Sequence, residues 1–128
     1  MNLAATRIFT DDVDGTVAFY EQVTGVAAER IHPLFAELRT PSGTLAIAST
    51  QTVAAMGDSG MRAGANHSVC LDFRVDGPDD VDAAFAALRA AGVPIVLEPS
   101  DMPWGNRSLL ITDPEGNLVN LFAPLSAR

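Results

Sequence analysis

The feature that most constrains this chain is a pattern it runs through twice. Thr6 to Ser49 reads as a strand, an aspartate, a helix, Gly25-Val26 and then strands; Val69 to Ala123 reads as a strand, an aspartate, a helix, Gly92-Val93 and then strands. The two halves share order rather than residue identity, as copies of one supersecondary unit do. The length, 128 residues, fits one domain. The expected organisation is therefore a single domain over 1–128, with module 1 at about 4–50, a linker at about 51–67 and module 2 at about 68–124.

Each copy carries its own start and stop signals. Thr6–Thr10 is a short strand ending at Asp11-Asp12, and Asp12 suits a helix N-cap because its carboxylate can accept from free backbone N–H groups. Val13, Val17, Tyr20 and Val23 lie on one helical face, and Gly25 stands where a left-handed cap needs glycine. Ala36–Arg39 and Leu45–Ser49 flank Pro41-Ser42-Gly43 as a hairpin, while His32 reads as a loop residue before Pro33. Thr50 to Asn66, with Gly57, Gly60 and Gly64, shows no periodicity and reads as a mobile connection. In the second copy Val69, Leu71, Phe73 and Val75 alternate with Cys70, Asp72 and Arg74, a half-buried strand. Gly77-Pro78-Asp79-Asp80 opens a helix with an apolar face of Val81, Ala84, Phe85 and Leu88, ended by Gly92. Ile95–Glu98 is a strand and Pro99–Gly105 an irregular stretch. Ser108–Thr112 and Leu118–Phe122 flank Asp113-Pro114-Glu115-Gly116-Asn117, a tight turn to which no chemistry is assigned. The fold class that follows is α+β: two sheets, each backed by a helix on one face, that can curl around a shared cleft on the other.

Charge narrows the partners. The formal net charge is −8 and no Lys/Arg cluster offsets it, which argues against nucleic acid and against an anionic membrane. A hydrophobic fraction of 48% against 19% charged residues argues for an ordered core. The single cysteine, Cys70, cannot form an internal disulfide. With no secretory leader pattern at Met1–Arg7 and no long apolar run, the expected location is cytoplasmic.

Asp12 with Val17-Ala18-Phe19-Tyr20 and Gly25-Val26, the stretch Trp104-Gly105-Asn106-Arg107, and Asp113–Asn117 followed by Val119–Phe122 together resemble the vicinal-oxygen-chelate superfamily, which includes glyoxalase I, extradiol dioxygenases and bleomycin-resistance proteins. The resemblance covers nearly the whole chain. It implies two tandem βαβββ modules forming a cupped mixed sheet around a cleft, usually in a homodimer, and a range from metal-dependent enzymes to metal-free drug-binding proteins. It also implies where metal ligands would stand: Ala5, Ala46 or Ala48, Cys70 in place of a histidine, and Asn120 in place of a glutamate. Alanine has no donor, and asparagine and a lone thiol are poor substitutes. No metal and no other cofactor is therefore expected.

What remains suits binding better than catalysis. Cys70 has no evident base beside it and reads as a small hydrophobe rather than a nucleophile. Asp72 shares the inward face with Cys70 and Arg74; it is either a general base or the partner of Arg74 or Arg7 in an ion pair. Trp104, the only tryptophan, stands where a loop could overhang the cleft and stack on a planar guest. Arg7 and Phe9 share the inward face with Ala5; Arg107 could bond a carbonyl or carboxylate of the guest, and Asn120 could orient a polar group. Arg7, Phe9, Cys70, Asp72, Trp104, Arg107 and Asn120 are thus the candidate ligand-binding residues. The function expected is metal-independent binding and sequestration of a small planar or cationic organic molecule, such as an antibiotic or natural product. The alternatives are a metal-dependent lyase, isomerase or dioxygenase, a metal-free enzyme with Asp72 as base, and an accessory protein with a vestigial cleft.

Overall fold

The computed structural model describes residues 1–126. In chain order the elements are β1 (Thr6–Thr10), α1 (Val13–Thr24), β2 (Glu29–His32), β3 (Phe35–Arg39), β4 (Thr44–Ser49), a 3-10 helix (Thr50–Met56), β5 (Cys70–Arg74), α2 (Pro78–Ala90), β6 (Ile95–Asp101), β7 (Asn106–Thr112) and β8 (Leu118–Pro124). They form two compact units that divide between Gly64 and Ala65. One four-stranded sheet has the order β1-β4-β3-β2 and the other β5-β8-β7-β6, so the second repeats the strand order of the first. In both, the first strand runs parallel to the fourth and the other pairings are antiparallel. This is the α+β pair of βαβββ modules that the resemblance implies, with β2 a strand that the reading of the residues did not include.

The helices begin and end for the reasons legible in the sequence. The Asp12 carboxylate accepts from the Gly15 N–H at 3.0 Å, taking up one of the donors that a first helical turn leaves free. Gly25 closes α1 at φ +70°, a conformation that penalises any Cβ. At the second helix the Asp80 carboxylate accepts from the Gly77 N–H at 2.9 Å, and Pro78 occupies the first turn.

Within the first unit the core lies between α1 and its sheet. Tyr20 from the helix and Ala36, Leu38 and Ile47 from the sheet are wholly buried. The Thr10 and Thr16 hydroxyls, both buried, lie 2.9 Å apart, which turns the Thr10 face of β1 toward α1. A buried hydroxyl is tolerated because it is bonded. Within the second unit Val81 and Leu88 of α2 and Leu109, Ile111, Val119 and Leu121 of the sheet form the corresponding core.

Three expectations are corrected. His32 is a strand residue, paired with Phe35 across a bulge in the β2–β3 ladder. Thr50–Met56, expected to be irregular, is a 3-10 helix whose cap is Ser49, its hydroxyl accepting from the Gln51 N–H at 3.1 Å. The β6 strand runs on to Asp101 through two bulges, so Pro99–Asp101 is not loop. Among the described residues no helix is long and apolar enough to cross a membrane.

Candidate functional site

Alternation along a strand sorts the second sheet into two faces. Arg107 pairs with Ala123 and is in phase with Leu109 and Ile111, and its guanidinium meets Asp82 of α2 at 2.8 Å, so this phase faces the helix. The opposite phase carries Cys70, Asp72 and Arg74 on β5 and Leu118, Asn120 and Phe122 on β8, in register as Cys70–Leu118, Asp72–Asn120 and Arg74–Phe122. Cys70, Asp72 and Arg74 are exposed.

On that open face three side chains form a bonded cluster. The Asn120 amide Nδ2 donates to Asp72 Oδ1 at 3.0 Å, and the Cys70 thiol donates to the same oxygen at 3.6 Å. Partial burial of the thiol, together with the adjacent Asp72 charge and hydrogen bond, pushes Cys70 up to about 11. The thiol is therefore protonated at neutral pH and serves as a donor, not a nucleophile. Asn120 Oδ1 is buried and has no hydrogen-bond partner in the structure. The arrangement is a pair of acceptors: an accessible carboxylate beside a covered amide oxygen with nothing donating to it.

The other candidates are placed differently. Arg107 does not reach this face: its guanidinium is shared between Asp82 and Asp101, each at 2.8 Å, which hold it above its ordinary range. Trp104 stands in a tight turn between β6 and β7, closed by the Gly105 N–H on the Met102 carbonyl at 3.0 Å, and is 69% exposed. From Asn106, next to that turn, to Leu110, the cross-strand neighbour of Asn120, is about 13 Å of strand. Asp72 makes no ion pair with Arg74 or Arg7 among the described residues.

Arg7 and Phe9 belong to the first unit, on the sheet face away from α1. Arg7 pairs in register with Ala46, and Phe9 with Ala48. The Arg7 guanidinium lies over the Phe35 ring, 5.6 Å from its centroid, and is exposed, whereas Phe9 is buried. On the same face Arg39 bridges Glu29 at 2.7 Å and Glu37 at 2.9 Å.

The residues at the implied metal positions do not fit a divalent ion. Ala5, Ala46 and Ala48 offer no donor, the Cys70 thiol holds its proton, and Asn120 turns its amide nitrogen to Asp72. Among the described residues no group of three or more His, Cys, Asp or Glu side chains could hold a metal ion.

Comparison with known proteins gives this geometry its context. The model of the Glyoxalase/Bleomycin resistance protein/Dioxygenase superfamily matches residues 2–121. The "Putative glyoxylase CFP32" of Mycobacterium bovis is 27% identical over 92% of this chain, and the chain spans only 42% of that protein's length. Among solved structures, a glyoxalase/bleomycin resistance protein/dioxygenase family enzyme from Burkholderia phytofirmans superposes with a TM-score of 0.88 at 24% identity, covering 98% of this chain and 100% of the other. A lactoylglutathione lyase from Agrobacterium tumefaciens gives 0.75 at 25% identity, covering 95% and 92%.

Proposed function

This chain belongs to the glyoxalase/bleomycin resistance protein/dioxygenase superfamily, and from that premise we propose that it binds and sequesters a small cationic organic molecule without a metal ion. The observation that carries the reading is the acceptor pair of Asp72 and Asn120 on the face of β5 and β8 away from α2. A carboxylate left accessible on a sheet, and in no ion pair among the described residues, attracts a cation, and a net charge of −8 reinforces the pull at long range. The anchor is a charge-assisted hydrogen bond, the stronger class of polar contact. The donor set at the family's metal positions supports capture over metal-assisted turnover.

The test is calorimetric titration with planar and cationic compounds, antibiotics included, in the presence of a chelator. Saturable binding that ignores the chelator and weakens about tenfold or more in Asp72→Asn supports the proposal. Turnover that depends on an added divalent ion would overturn it, as would binding indifferent to Asp72→Asn.

A further inference from the structure

We infer that the captured molecule presents two neighbouring N–H donors on one planar cation, as an amidinium or guanidinium does, with one donor directed at Asp72 and the other at Asn120. This rests on the binding reading above and names the ligand class of that same face. Its basis is Asn120 Oδ1, a buried acceptor with no partner. Native structures rarely leave such an atom unpaired unless something else supplies the bond. Turning the amide over does not solve the problem. Nδ2 is held by Asp72 Oδ1 at 3.0 Å, and the reversed amide would set its oxygen against the carboxylate. Asp72 Oδ1 already accepts from both Asn120 and Cys70, whereas neither bond falls on Oδ2.

The bond between Asn120 and Asp72 therefore sets an accessible charged acceptor beside a neutral acceptor that lies covered. A quaternary ammonium would answer the charge and leave Asn120 Oδ1 unpaired. A planar fork of N–H groups answers both oxygens, because its donors diverge in one plane at fixed spacing. Asn120 Oδ1 is closed to bulk solvent, so its donor must come from a group seated on the sheet. Seating that group requires the side chains that cover the oxygen to move aside, with the cation's attraction to Asp72 as the driving force.

The experiment compares benzamidine with benzyltrimethylammonium, a cation that has no N–H, by calorimetry on the intact chain, the Asn120→Leu variant and the Asp72→Asn variant. In the wild-type chain benzamidine is expected to bind at least about tenfold more tightly, the yield of one further hydrogen bond. Asn120→Leu should remove most of that preference, and Asp72→Asn should weaken both cations. Equal wild-type affinities that still depend on Asp72 would sink the two-donor inference and leave the binding reading standing. A preference untouched by Asn120→Leu would sink it as well. Affinities indifferent to Asp72 would remove the binding reading itself. The wild-type comparison decides the matter even if Asn120→Leu fails to fold.

Discussion

Asp113 closes the turn between β7 and β8, and its replacement by alanine should destabilise the chain by about 3 kcal/mol. The carboxylate is buried, at 5% exposure. Its Oδ1 accepts from the Glu115 N–H at 2.9 Å and the Asn117 N–H at 2.8 Å, and its Oδ2 accepts from Asn117 Nδ2 at 2.9 Å. A hydrogen bond to a charged group nets roughly 1.5–3 kcal/mol, and leaving a buried donor without an acceptor costs roughly 1–3 kcal/mol. These gains do not add fully, and alanine also removes the cost of burying a charge, so the net falls near the value of one to two such bonds. Asp113→Asn keeps an oxygen for both backbone donors and should cost only about 1 kcal/mol. Urea unfolding followed by circular dichroism reads the difference: with a slope of about 2 kcal/mol per molar, the Asp113→Ala midpoint should fall by about 1.5 M. A midpoint within about 0.2 M of the wild type would refute the reasoning. The same turn sets Thr112 opposite Leu118 and thereby Asn120 between Leu110 and Asp72. A slip of one residue would send Asn120 to the helix side, so Asp113→Ala should also weaken cation binding.

Four other outcomes follow from the structure. Cys70, raised to about 11, should react with a disulfide reagent at pH 7.5 roughly tenfold more slowly than an unperturbed thiol, since about a hundredfold loss of thiolate is partly offset by greater nucleophilicity. Asp72→Asn should speed that reaction, and a wild-type rate equal to that of a cysteine peptide would contradict the account. Because the folded thiol ionises at higher pH than the unfolded one, its contribution to stability should decline as pH rises from about 9 to about 11; stability measured across that window should decline less in Cys70→Ala. Gly25→Ala and Gly92→Ala, at φ +70° and +81° with open space around each, should cost about 1–2 kcal/mol apiece through backbone strain alone, and unchanged melting temperatures would refute this. Arg107→Gln should leave cation affinity unaltered, because its guanidinium is committed to Asp82 and Asp101 on the helix side; a tenfold loss would place it at the site after all.

Where signals were local, the sequence was legible. The N-cap at Asp12, the left-handed glycines and the Asp113–Asn117 turn each depend on residues within five positions, and each stands where it was read. β2 leaves little mark in the sequence because it is four exposed residues whose pairing with β3 is broken by a bulge. β6 was cut short because its two bulges interrupt the alternation. The orientation of Arg107 could have been found: it lies two and four residues before Leu109 and Ile111, in the apolar phase of β7. The bond between Asp72 and Asn120 could not, because no local pattern specifies which of two strands 48 positions apart will lie in register.

That separation has a consequence for how the protein is made. β5 opens the second unit and β8 ends it, so the carboxylate at Asp72 is synthesised long before the amide that orients it. Until β8 is delivered, β5 lacks its one neighbour in the sheet and Asp72 lacks the amide that bonds it. The two acceptors therefore come together only once the last strand of the sheet is in place.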